Sequence, residues 1–231
     1  MFPPPGYHIF TNNNSTTGGV ALHHAAMAVR AGEARCVLAL GFERMAPGAL
    51  AAHHHWPDRP NPVLPLLAAA ARASPDADRA AKNHKHALDN NPYAQRRAGY
   101  SEAEVLASPQ ITNELTKLTC CPTTDGAACC AIASEAFVHA NKLENQAIEQ
   151  VATALATDYP EAFEGRSAMD SVGYGMTRRL ADKVFTKAPA SRDEVGVVEL
   201  HDCFAANEVL APNMSFHFLK ITNRRKCFAS L

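Results

Sequence analysis

The residues best placed to do chemistry begin with the run Asn12-Asn13-Asn14-Ser15-Thr16-Thr17-Gly18-Gly19. A short apolar strand over Tyr7 to Phe10 breaks there into a small-residue helix, which leaves one side chain at a helix N-terminus. Unpaired backbone N–H groups and the positive end of the macrodipole favour a developing negative charge at that point. Ser15 holds the position. Ser, Thr and Asn are also the favoured N-cap residues, so the cluster can equally serve to satisfy helix N–H groups. No G-x-S-x-G elbow is present, and a serine nucleophile needs a general base within hydrogen-bond reach.

A second constellation is His201-Asp202-Cys203-Phe204, at the end of the apolar run Val195 to Leu200. His201 reads as a functional or a structural histidine, in either case hydrogen-bonded if buried. Cys203 would be a thiolate only if its pKa were depressed, and an inert buried thiol is the simpler expectation. His53-His54-His55 is a run of adjacent histidines without matching partners at zinc spacing, so no native metal site is expected. In Lys82-Asn83-His84-Lys85-His86, Lys82 and His86 share a helix face, which suits solvent or, less simply, a phosphate. The adjacent pairs Cys120-Cys121 and Cys129-Cys130 read as packing residues rather than ligands.

Composition narrows the partners. The 231 residues carry 47% hydrophobic and 19% charged side chains, with a formal net charge of −1. That balance gives no reason to expect a nucleic-acid surface. No apolar run approaches the roughly 18 residues of a membrane span, and the start Met1-Phe2-Pro3-Pro4-Pro5 lacks the features of a signal peptide. Seven cysteines, two pairs of them adjacent, suggest reduced thiols in an intracellular compartment.

Positioning these groups requires an α/β framework. Gly18 to Ala31 reads as a helix with Gly32 as its C′ cap, and Cys36 to Leu40 as a parallel strand buried on both faces, giving a βαβ unit with Tyr7 to Phe10. Residues 46 to 80 form a proline- and alanine-rich excursion. Helices are expected at Ala77 to Leu88, ending before Asn90-Asn91-Pro92, and at Ser101 to Ala107, where Ser101 and Glu104 form a capping box. After a turn at Thr124-Asp125-Gly126, Ala127 to Ser134 is a small-residue strand. A second α/β pattern has strands at Ile148 to Leu155 and Val195 to Leu200, a helix at Met169 to Val184, and another through Asn207-Glu208. Ser15 and His201 thus fall at strand ends in two halves, where open α/β sheets place ligands.

Five ordered blocks resemble one family. They are Asn12 to Gly19, Val37 to Met45, Asn83 to His86, Cys121-Pro122-Thr123-Thr124-Asp125-Gly126-Ala127-Ala128, and His201 to Phe204. Together they look like the thiolase superfamily, and most like the sterol carrier protein x-type thiolase. The resemblance implies a layered αβαβα fold of two similar halves, usually a homodimer, that cleaves a 3-oxoacyl-CoA with coenzyme A in peroxisomes. Coenzyme A is then a substrate, and no separate cofactor is implied. Residues 1–146 would be part of the N-terminal half, with the excursion at 46–100. Residues 147–210 would begin the C-terminal half, and 211–231 would be an unrelated tail.

By the same resemblance, Ser15 stands where the family has its nucleophilic cysteine. His201 would help form the oxyanion site, while Met45, His84 and Asn207 would contact substrate. The G-H-P segment and the late acid–base cysteine of the family have no counterpart, nor does the family's region before Tyr7. The ending Ala229-Ser230-Leu231 lacks the basic middle residue of an S-K-L-type address. The expectation is therefore a thiolase by descent with impaired turnover, the other reading being a non-catalytic acyl-CoA-binding or subunit-interaction protein. Absent strands would also leave sheet edges and apolar faces open, an aggregation hazard.

Overall fold

The computed structural model describes residues 11, 16–45, 77–112, 115–157, 159–164, 170, 173–199, 201, 203–210 and 226–230. The strand expected at Tyr7 to Phe10, Ser15 itself, Asp202 and the three histidines at 53–55 lie outside them.

Helix α1 (Thr17–Arg30) forms from an alanine-rich segment and stops where Gly32 takes φ 78°. The Gly32 N–H reaches Val29 O at 3.1 Å and the Glu33 N–H reaches Ala28 O at 3.1 Å, a left-handed glycine closure that a side chain would strain. Strand β1 (Cys36–Glu43) follows. It is not buried on both faces as its sequence suggests, and the parallel partner expected at Tyr7 to Phe10 lies outside the described residues. It pairs antiparallel with β4 (Gly126–Ala133), in register from Cys36 opposite Ala133 to Glu43 opposite Gly126. Only the face with Val37, Ala39 and Gly41 is covered, by α1. On the other face Leu38 is 64% and Phe42 76% exposed. A run that is apolar at every position looks the same whether one or two faces are buried, so periodicity could not tell them apart.

Two glycines set the spacing of this layer. A Cβ on Gly41 would lie 3.4 Å from the Gly18 Cα, so the first turn of α1 rests directly on the strand. The start of the helix is therefore held against β1 by backbone contact rather than by interdigitated side chains.

Helices α2 (Ala77–Asn90) and α3 (Glu102–Ala107) lie next in sequence, followed by the short hairpin β2 (Gln110–Thr112) and β3 (Leu115–Thr116). The capping box expected at Ser101 is present: its hydroxyl accepts from the Glu104 N–H, and the Glu104 carboxylate accepts from the Ser101 N–H at 2.8 Å. Ala77, Ala80, Val105 and Ala205 form one core cluster, edged by Tyr100 and Leu118. Ala205 belongs to α7 (Ala205–Leu210), so this cluster joins the excursion to the segment that carries His201.

After α4 (Glu135–Ala140) comes β5 (Glu149–Ala154), whose alternation sorts its residues between two neighbours. Ala152 and Ala154 pack on Leu180 and Val184 of α6 (Tyr174–Lys187). Thr153, on the opposite face and 2% exposed, takes His23 of α1 at 3.2 Å between Nδ1 and Oγ1. Helix α1 thus lies between the β1–β4 sheet and β5, and β5 lies between α1 and α6. Four alternating layers of an α/β fold result. Strand β6 (Lys226–Ser230) runs parallel beside β5.

Of the helix expected over Met169 to Val184, Met169 lies outside the described residues, Asp170 is helical, and α6 runs from Tyr174 after Gly173 takes φ 91°. A short helix α5 (Glu161–Glu164) precedes it. The strand expected at Val195 to Leu200 is absent from its described residues, 195–199; a 3-10 turn over Arg192–Glu194 leads into extended chain. A strand exists only through its ladder partner, and this run has none among the described residues; Val197 is exposed.

Candidate active site

Of the groups singled out in the sequence, Ser15 lies outside the described residues, while Met45, His84 and the segment Cys203 to Asn207 meet the segment from Lys117 to Asp125. Its core is a short antiparallel bridge to the His201 motif. The Cys121 N–H donates to Cys203 O at 2.8 Å and the Ala205 N–H donates to Thr119 O at 3.0 Å, which sets Cys120 opposite Phe204. Arg96 clamps the same segment, donating from Nη1 to Lys117 O at 3.0 Å and to Cys120 O at 2.8 Å. Thr119 and Thr116 close it internally: the Thr119 hydroxyl donates to Thr116 O at 2.9 Å and accepts from the Thr116 N–H at 3.0 Å.

His84 and Asn207 meet around this bridge. The His84 ring contacts Leu118 O through Nε2 at 3.0 Å and lies edge-on to Tyr100 at 4.9 Å between centroids. Its ring is thereby tied to backbone. Asn207 donates from Nδ2 to Cys203 Sγ at 3.6 Å. Beside it, Glu208 accepts from Lys82 Nζ and from Asn83 Nδ2, the latter at 3.1 Å. Lys82 is exposed, as a solvated face requires, and from there also anchors α2 to α7. Sequence reading missed Glu208 and Arg96. Glu208 stands next to Asn207, but nothing in the sequence pairs it with the Lys82-Asn83 dipeptide some 125 residues away.

Met45 lies two residues beyond β1, with its N–H donating to Asp125 Oδ1 at 2.8 Å. The Thr124-Asp125-Gly126 turn therefore connects the end of β1 to the bridge. His201 is exposed rather than buried, which leaves its ring open to solvent and to a ligand. Ser15 lies two residues before α1; the Thr16 side chain makes no capping hydrogen bond there.

The thiols differ in character. Burial pushes the Cys120 thiol above its ordinary pKa, opposed by its contact with the Thr119 hydroxyl, so it is held as an unreactive thiol. Cys129 and Cys130 are exposed on β4 and are not the packing residues expected. Among the described residues no group of three or more His, Cys, Asp or Glu is placed to hold a metal ion, and no helix is long and apolar enough to cross a membrane.

No family model matches the chain. It is 43% identical over 230 residues to sterol carrier protein 2 of Gallus gallus, covering 87% of this chain and 42% of that protein. It is 33% identical over 129 residues to the benzoylsuccinyl-CoA thiolase subunit BbsB of Thauera aromatica, covering 56% of this chain and 32% of that one. Among solved structures, the Ltp2-ChsH2(DUF35) aldolase superposes with a TM-score of 0.64 at 19% identity, covering 87% of this chain and 57% of that chain, a likeness of fold. The chain spans less than half the length of the sterol carrier protein 2 sequence it matches. With five motif blocks in order, a layered α/β fold and relatives of this kind, the chain belongs to the thiolase superfamily, with sterol carrier protein 2 among its relatives.

Proposed function

We propose that this chain is a thiolase-type acyl-CoA C-acyltransferase of lipid metabolism by descent, with its own thiolysis impaired. The ancestral reaction cleaves a 3-oxoacyl-CoA with coenzyme A, giving an acyl-CoA and a shortened acyl-CoA. The observation that carries the impairment is Ser15, two residues ahead of α1. A cysteine there is a few per cent thiolate or more near neutral pH and strongly nucleophilic, whereas a serine hydroxyl stays protonated without an adjacent base. His201, exposed beside the bridge, has the access an oxyanion donor requires. Asn207, His84 and Met45 are assigned as substrate contacts by the same family resemblance. Peroxisomal residence and homodimer formation follow the same descent.

The test is CoA-dependent cleavage of a 3-oxoacyl-CoA by the purified chain. No turnover is expected. Measurable cleavage by the unmodified chain overturns the impairment; rescue by Ser15→Cys assigns it to that one residue.

A second reading, an acyl-CoA-binding or subunit-interaction role without chemistry, is favoured by the uncovered apolar face of Leu38, Leu40 and Phe42. Calorimetry with an acyl-CoA separates its two forms, since an absence of heat leaves only subunit interaction.

A further inference from the structure

The bridge between the two motif segments also places two cysteines across from each other. Cys120 opposes Phe204, so the next position along one segment, Cys121, lies opposite the preceding position of the other, Cys203. The Cys121 N–H to Cys203 O bond of 2.8 Å fixes that register. Residues at the hydrogen-bonded position of such a pair stand about 5.5 Å apart at Cα, inside the window of about 4.4–6.8 Å that a disulfide spans; their Cβ atoms must close by about 1 Å, which makes the bond strained and readily reduced. Neither cysteine is in a disulfide, and Cys121 is exposed while Cys203 is half-buried.

We propose that Cys121 and Cys203 form a reversible disulfide that staples the 117–125 segment to the chain carrying His201. The oxidant is a low-molecular-weight disulfide of the glutathione class. The exposed Cys121 thiolate attacks one sulfur of that oxidant, forming a mixed disulfide and releasing one small thiol. The Cys203 thiolate then attacks Cys121 Sγ and releases the second small thiol. Two protons leave the protein thiols and are taken up by the two departing thiolates. The two electrons reduce the oxidant.

Other pairings are disfavoured by position. Cys129 and Cys130 are neighbours on β4 and point to opposite faces, with Leu40 and Ala39 across from them. Cys36 faces Ala133, and Cys227 of β6 is paired with Gln150. Cys120 opposes an aromatic residue, and its thiol is turned to Thr119 at 4.0 Å. Oxidation acts on the candidate site directly. It changes the sulfur that accepts from Asn207 and ties down the chain two residues beyond His201. An accessible disulfide of this kind belongs to the labile, regulatory class rather than the structural one. The inference stands apart from the thiolase activity, since it concerns the bridge and not turnover.

The experiment treats the full chain with oxidised glutathione, caps remaining thiols with N-ethylmaleimide and digests with trypsin without reduction. Peptide 118–142 contains Cys120, Cys121, Cys129 and Cys130, and peptide 193–220 contains only Cys203. A cross-linked pair of these peptides is expected, lost on dithiothreitol treatment and absent from Cys121→Ser. It is expected to persist in Cys120→Ser and in Cys129→Ser. Peptide 193–220 recovered solely as the maleimide or glutathione adduct overturns the proposal. So does a cross-link that survives Cys121→Ser. Because the primary readout uses the unsubstituted chain, a poorly folding variant does not blunt it.

Discussion

Removing the Glu208 carboxylate tests whether α7 is held to α2 by the contacts described. The side chain is 15% exposed and accepts from Lys82, which is 45% exposed, and from Asn83. The ion pair is half in water, so it is worth about 0.5–1 kcal/mol after screening. The Asn83 bond to a charged acceptor in a less exposed position adds about 1–1.5 kcal/mol. Glu208→Ala should therefore cost about 1.5–2.5 kcal/mol. In a chain of this size about 1 kcal/mol moves Tm by roughly 2–4 °C, so the expected fall is roughly 3–10 °C. Urea denaturation of the parent, Glu208→Ala, Lys82→Ala and the double variant closes a cycle in which the Lys82 coupling should be about 0.5–1 kcal/mol. A Glu208→Ala variant within about 0.3 kcal/mol of the parent would refute the anchoring argument. A non-additive coupling near zero would assign the stabilisation to Asn83 alone.

The pH dependence should carry the sign of His23. Its pKa is lowered, first by burial and then by His24, Lys187, Arg30 and Lys183, with the His24 Nδ1 buried and lacking a partner. A base with a depressed folded pKa is uncharged in both states above about 6.5, and the unfolded chain takes up its proton first on acidification. Stability should thus be full above about pH 6.5 and fall as pH drops through the folded value; His23→Gln should flatten that slope in denaturation series from pH 7.5 to 5. His139 works oppositely, since Glu144 and Glu135 raise its pKa; its contribution is present below about 6.5 and fades as pH rises. In the core, Val105→Ala at a 0% exposed position should cost about 2 kcal/mol by denaturant unfolding, whereas Leu38→Ala, 64% exposed, should stay within about 0.5 kcal/mol. A large cost at Leu38 would mean that the second face of β1 is covered in solution.

Local elements were legible because their causes are local. The capping box at Ser101, the left-handed closure at Gly32 and the breaks at Asn90-Asn91-Pro92 and Asp125-Gly126 each depend on a few adjacent residues. The order of five short blocks was enough to mark the thiolase family, since each block keeps its residues at fixed spacing along the chain. What the sequence could not express was partnership. Whether Cys36 to Glu43 has one covered face or two depends on which layer lies over it. Whether Val195 to Glu199 becomes a strand depends on a neighbour to share its hydrogen bonds. Lys82 with Glu208 and Cys121 with Cys203 are pairs separated by about 80 residues or more, and no local spacing relates them. Residue types and spacing along the chain therefore determined the family and the candidate groups. Only the tertiary structure decided which of those groups meet, because burial, ladder pairing and ion pairing are properties of two segments and never of one.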